Sequence, residues 1–280
     1  MRNRLFLAVL SALLLLTAAC KSQYDAIMYG SDNDAKYKLA FELFEAKKYA
    51  KAAEAFDSLA TLPMRGTPQE DTVQFYWGLS NYRYGDFVTA ESTLNQFINT
   101  FPLSPFIEEA KFIRLDCLYR STYRYELDPL PTHRALSEMR VFQIENPNSQ
   151  YREQVDKMMD DLNNRLELKA YKGAYLYYHM EDYQAAHYAL KNVLKDNADN
   201  RYREEILYFT AMSSYKYALN SVPSKQRERY MTFVDDYFNI VSEYPENEHR
   251  KELDALYAKA QKFISQTSAE ETTDNNNIIK

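Results

Sequence analysis

Apolar positions along this chain recur at helical rather than alternating spacing. One four-point pattern repeats: an aromatic residue, alanine three positions on, a large apolar residue four later, and another three later. It reads Tyr49, Ala52, Phe56, Leu59, then Phe87, Ala90, Leu94, Phe97, then Tyr183, Ala186, Leu190, Val193. A looser copy, Thr132, Ala135, Met139, Phe142, has threonine in the aromatic slot, and Phe233, Tyr237 and Ile240 build a fifth unit. Steps of three, four and three keep these side chains on one face of an α-helix, and the alanine lets a neighbouring helix approach closely. Pro102, Pro147 and Pro245 stand five residues after the last apolar point, as does Ala198 in another copy. Proline at that place ends the helix and starts a turn. The pattern predicts an all-α chain.

These residues resemble the tetratricopeptide repeat, whose second helix carries alanine, an apolar or aromatic residue and a closing proline. The segments at 47–49 (KKY), 85–87 (GDF) and 181–183 (EDY) fit the turn between the two helices, and Ala40, Trp77 and Gly78 fit first-helix positions. The resemblance implies a solenoid of about five helical pairs over residues 33–265, with first helices lining its concave side. Successive alanines stand 38, 45 and 51 residues apart, longer than the usual period of about 34. The excess predicts stretched helices or loops, notably over Leu127–Pro131. Residues 266–280 are polar and aperiodic, a composition expected of a disordered tail.

The first nineteen residues read as an address. Arg2 and Arg4 precede a twelve-residue apolar run from Leu5 to Leu16, followed by Thr17, Ala18, Ala19 and Cys20. Twelve residues fall short of the roughly 20 that a membrane-spanning helix needs and fit a signal-peptide core. The segment Leu16–Cys20 resembles a bacterial lipobox, with threonine where leucine is commonest. That resemblance implies cleavage after Ala19 and acylation of Cys20. Two or more acyl chains hold a protein stably at a membrane, which one does not. Residues 20–32 have no period and are expected to form an acylated tether, placing the fold at the periplasmic face of the outer membrane.

Composition narrows the remaining possibilities. Five glycines in 280 residues compare with about 20 at average usage, leaving little for phosphate loops or tight hairpins. Twenty-five tyrosines suit helices that bury a ring and keep its hydroxyl wet. A net charge of -6 supplies no basic field for nucleic acid. His133, His179, His187 and His249 show no metal-ligand spacing, and acid pairs such as Glu108-Glu109 and Asp235-Asp236 are adjacent. Adjacent helical residues diverge by about 100° and do not converge on one bond. Cys117 has no neighbouring histidine in sequence and reads as a small buried hydrophobe. We therefore expect no catalytic residues, metal or cofactor, and no enzyme.

Registration against the repeat puts Tyr37, Phe41 and Phe44 of the first unit, and Phe75, Leu79, Tyr82 and Arg83 of the second, on the concave side. Aromatics in such a groove offer apolar contact to an extended peptide, and Arg83 offers a partner for a carboxylate. The lipobox, the five units, and the phrases Phe101-Pro102-Leu103-Ser104-Pro105 (after Phe97) and Asn146-Pro147-Asn148-Ser149-Gln150-Tyr151 resemble the BamD family. That likeness implies a lipoprotein of the β-barrel assembly machinery. Its N-terminal half would receive unfolded outer-membrane proteins and its C-terminal half would dock the barrel-forming insertase, with Arg201 and Arg203 as docking charges. A repeat adapter of another envelope complex, or a glycan-binding lipoprotein of the SusD type, uses overlapping features; the latter are much longer.

Cys20→Ala is expected to leave a folded protein that no longer fractionates with washed membranes, because Cys20 lies outside the repeats. Wild-type retention in that fraction would overturn the lipobox reading.

Overall fold

The computed structural model describes residues 24–61 and 64–278. The leader at 1–19, Cys20 and residues 21–23 lie outside the described residues. The described chain is helical: α1 (Asn33–Glu45), α2 (Tyr49–Ala60), α3 (Glu70–Tyr84), α4 (Phe87–Thr100), α5 (Ile107–Arg120), α6 (Leu130–Glu145), α7 (Arg152–His179), α8 (Tyr183–Asp196), α9 (Arg203–Leu219), α10 (Pro223–Glu243) and α11 (Arg250–Ile278). The second helices α2, α4, α6, α8 and α10 carry the repeated pattern. Ala52, Ala90, Ala135 and Ala186 are all fully buried, as are Phe56, Leu94, Met139 and Leu190.

The chain divides into two compact units. Unit 1 runs to Tyr123 and resumes over Asp128–Met159; unit 2 takes Arg124–Leu127 and everything from Asp160. The periodicity predicted one stack, whereas the boundary falls inside α7, whose 28 residues outlast those of any helix before it. Polar residues Asp160, Asp161, Asn163 and Asn164 interrupt its apolar stripe there. In unit 2, Lys169 Nζ donates to the carbonyls of Tyr125 and Leu127 at 3.0 and 2.8 Å, which fastens the 124–127 segment to α7.

Both ends differ from expectation. Residues 24–28, expected in the tether, form a helical turn. Met28 is buried in the α1–α2 core, Tyr24 Oη donates to Glu54 Oε2 at 3.0 Å, and Lys51 Nζ lies 4.4 Å from the Tyr24 ring. Tyr24 and Met28 stand four apart, on one helical face, but a single turn is too short to display a period. At the other end α11 continues through Ile278, across residues expected to be a tail.

Three of the turns within a pair, those after α1, α3 and α7, share one backbone device. Lys47, Gly85 and Glu181 all take left-handed conformations, with φ of 58°, 96° and 63°. In two of them an aspartate follows and caps the next helix: Asp86 Oδ1 accepts from Thr89 N–H at 3.0 Å and Asp182 Oδ1 from Ala185 N–H at 3.1 Å. Such caps contribute about 1 kcal/mol each. Hydrogen bonds from Thr89, led by that of its backbone N–H, hold the Asp86 carboxyl below the ordinary carboxylate range. Gly78 has a different role. A Cβ there would meet Leu94 Cγ and Cδ2 at 2.7 Å, so its bare backbone sets how closely α3 and α4 pack.

Four turns between pairs, those after α4, α6, α8 and α10, share a second device that residue identity disguises. Ser104, Ser149, Asn200 and Asn247 each accept, on a side-chain oxygen, the N–H two residues on. That bond aims the ring at the second position: Phe106, Tyr151, Tyr202 or His249. Each ring stacks on an aromatic of the preceding first helix: Phe75–Phe106 at 4.5 Å, Phe112–Tyr151 at 4.3 Å, Tyr171–Tyr202 at 5.5 Å and Tyr208–His249 at 3.8 Å between centroids. Four residues before three of those first-helix rings stands a carboxylate that grips the turn. Asp71 accepts from Ser104 Oγ at 2.8 Å and Glu108 from Ser149 Oγ at 2.5 Å, while Glu167 accepts from Arg201 N–H at 3.1 Å. An aromatic pair adds about 0.5–1.5 kcal/mol beyond its burial, so four such hooks together contribute about 2–6 kcal/mol.

Left-handed φ costs an L-residue roughly 1–2 kcal/mol, partly offset by the greater chain entropy that glycine loses. Gly85 has open space around its absent Cβ, so only backbone strain is at stake. Gly85→Ala should lower stability by about 1 kcal/mol and Glu181→Gly should raise it by about 0.5 kcal/mol in urea melts. The same sign for both would overturn the shared-turn assignment.

Candidate functional site

The side chains expected to line a groove separate into three environments. Tyr37, Phe41 and Phe44 of α1 meet Tyr76 of α3 in one cluster: Tyr37–Phe41 at 4.9 Å, Phe41–Tyr76 at 4.8 Å and Phe44–Tyr76 at 5.1 Å. All three are half-buried against the α1–α3 core, so they mix support with exposed edge. Phe75 and Leu79 do not line a groove. They are 2% and 6% exposed and belong to the core that Leu94, Phe97 and Ile113 share. The reason is topological: α3 packs against α2, α4 and also α5, so three neighbours cover what a two-helix registration leaves open.

Solvent reaches the C-terminal end of α3. There Tyr82 Oη donates to Asp116 Oδ2 of α5 at 2.6 Å, and Arg120, one turn beyond Asp116, donates from Nε to the same oxygen. Burial first, then the bond to the carboxylate, push the Tyr82 phenol up to about 12. The Arg120 guanidinium carbon lies 5.9 Å from the Tyr82 ring centre and 5.3 Å from that of Phe87. Arg83 lies 5.9 Å from the Tyr82 ring, is exposed, and makes no ion pair among the described residues. Tyr84 and Val88, on either side of the Gly85 turn, are exposed as well. The arrangement presents a fixed phenol ring flanked by two guanidiniums, one of them unspent, beside apolar surface. It can pair a carboxylate and cover an aromatic or aliphatic side chain.

Arg120 escaped the sequence reading, and Phe87 was read there only as a repeat position; the usable signal was the i, i+4 spacing of Asp116 and Arg120. So did a network in which Arg114 bridges Glu91 at 3.0 Å and Glu138 at 2.8 Å, with Arg134 reaching Glu91 at 3.1 Å. It ties α4, α5 and α6 together. Cys117 is fully buried and burial pushes its thiol up to about 12, which leaves no thiolate for chemistry.

Arg201 and Arg203 of unit 2 are already engaged. Arg201 faces Asp160 and Glu167 of α7. Arg203 binds Glu243 of α10 through two nitrogens and the Ala198 carbonyl at 2.9 Å, holding the Glu243 carboxyl below its usual range. These arginines brace the 197–203 turn; they do not present free charge. Among the described residues no three His, Cys, Asp or Glu side chains gather in a ligating group, and no helix is long and apolar enough to cross a membrane.

The family model YfiO, described as an outer membrane lipoprotein, matches residues 30–172. That span takes in the six helices of unit 1 and most of α7. No curated protein matches the chain.

Hydrogen bonds to a buried charge contribute about 1.5–3 kcal/mol, whereas exposed side chains contribute within about 0.5 kcal/mol. Tyr82→Phe should therefore lower the urea-derived stability by about 1.5–3 kcal/mol and Arg83→Gln should leave it unchanged. Equal losses would show that Arg83 is structural.

Proposed function

The chain belongs to the YfiO (BamD) family of outer membrane lipoproteins, and from that premise we propose that it serves the outer-membrane β-barrel assembly machinery as a non-enzymatic scaffold. Cys20 carries the acyl anchor after residues 1–19 are removed, and the helical units lie at the periplasmic face. Unit 1 receives unfolded barrel substrates, and unit 2 docks the insertase near the turn braced by Arg201 and Arg203.

One observation carries the substrate half of this reading. Arg83 is an exposed guanidinium without a carboxylate, set beside the Tyr82 ring, which Asp116 fixes. A barrel strand ending in an aromatic residue and a free carboxylate supplies both missing partners: the carboxylate for Arg83, and a ring for the surface around Tyr82, Tyr84 and Val88. The half-buried Tyr37, Phe41 and Phe44 then act chiefly by shaping the adjoining face.

Truncating a contact at a binding centre typically costs tenfold or more in affinity. Arg83→Ala should weaken binding of a C-terminal barrel peptide about tenfold in fluorescence anisotropy, with an unchanged thermal midpoint. Phe41→Ala should lower the midpoint, because its ring packs edge-on to Phe56 at 5.1 Å. Undiminished binding to Arg83→Ala would remove the substrate site from this face.

A further inference from the structure

Unit 2 holds a pocket of about 260 Å³ between α8, α9 and α10, lined in part by Gln184, His187, Tyr188, Tyr217, Arg229 and Thr232. Arg229 is unlike its neighbours. In the same unit Arg165, Arg201, Arg203 and Arg250 each face a carboxylate, whereas Arg229 forms no ion pair among the described residues. Its guanidinium carbon sits 3.9 Å from the centre of the Tyr217 ring, and Nη1 donates to Ser221 Oγ. Ser221 in turn donates to the Tyr217 carbonyl. The planar cation is thus held against a ring and hooked at one nitrogen before any ligand arrives. One of five N–H donors is spent on Ser221, and the rest are available.

The surroundings suit an anion. His187 Nε2 lies 2.7 Å from Asp236 Oδ2, a carboxylate only 2% exposed that also accepts from Lys191 Nζ at 3.3 Å. Asp236 is therefore compensated by its own partners and fixes the imidazole that forms part of the pocket wall. The Glu228 carboxylate, also at the wall, is paired with Lys225 at 3.2 Å. Tyr188 is 62% exposed and offers a ring to whatever group accompanies the anion. A half-buried guanidinium stacked on a ring matches a carboxylate through two parallel hydrogen bonds, which a lysine ammonium cannot reproduce.

We propose that this pocket binds a peptide carboxylate, supplied by an acidic side chain or by a chain terminus, with Arg229 as the pairing cation and Tyr217 as its support. Calorimetric titration of the full chain uses three probes: N-acetyl-Gly-Phe with a free terminal carboxylate, the same peptide as its amide, and N-acetyl-Phe-Glu amide. At least one carboxylate probe should bind about tenfold more tightly than the neutral amide. Arg229→Gln should abolish that preference, and Arg229→Lys should keep only part of it. The tighter of the two acidic probes identifies the source of the carboxylate. Equal binding of acid and amide, or a preference that survives Arg229→Gln, overturns the proposal. Should Arg229→Gln fail to fold, the Arg229 Nε–H resonance of the wild-type protein decides: it must shift with a carboxylate probe and stay fixed with the amide.

Discussion

The ring that the inter-pair turns after α4, α6, α8 and α10 carry back onto the preceding first helix is the contact on which the rest of each unit depends. A helical pair has apolar side chains on more than one face, and its own two helices cover only part of them. Closure comes from the next segment of chain. Ser104, Ser149, Asn200 and Asn247 make the turn rigid by accepting an N–H locally, and the ring two residues on is thereby aimed rather than merely tethered. Asp71, Glu108 and Glu167 hold three of the four turns down. Without the polar hook the ring would lose its entry angle; without the ring the hook would tie down an unsealed core.

This constraint also explains why groove and core were hard to separate. Once Phe106 lies flat on Phe75, and α5 covers α3 from a third side, no part of Phe75 is left for a ligand. At the C-terminal end of α3, by contrast, Tyr82 stays partly exposed and Arg83 exposed. The phenol there is fixed by a buried carboxylate, so a partner meets a rigid ring and need not freeze it. Affinity gained in that way comes from ordering already complete in the free protein.

The helical pairs were legible in sequence because one small residue marks them. Ala52, Ala90, Ala135 and Ala186 are fully buried, where a larger side chain would force its surroundings apart. The hooks were not legible as a set, since Ser and Asn both accept an N–H and Phe, Tyr and His all stack. The physics repeats without a repeated letter. Two of the hook segments, around Ser104 and Ser149, nonetheless carried the family resemblance. Arg83 was singled out by its register in the repeat, and the fold leaves it exposed. Arg201 and Arg203 looked equally available, and only the fold brings Asp160, Glu167 and Glu243 from other helices to meet them.

The direction of the hooks has a consequence for biosynthesis. Every stacked ring lies C-terminal to the helix it covers, so a chain emerging from its N-terminus exposes each pair until the following turn has been made. The leading edge of the growing protein is thus always unsealed, and each new turn closes the pair behind it. The last first helix, α9, waits for His249 and for α11 to cover its remaining face. Folding from the N-terminus therefore runs as a sequence of closures, with the newest pair the exposed one at each stage.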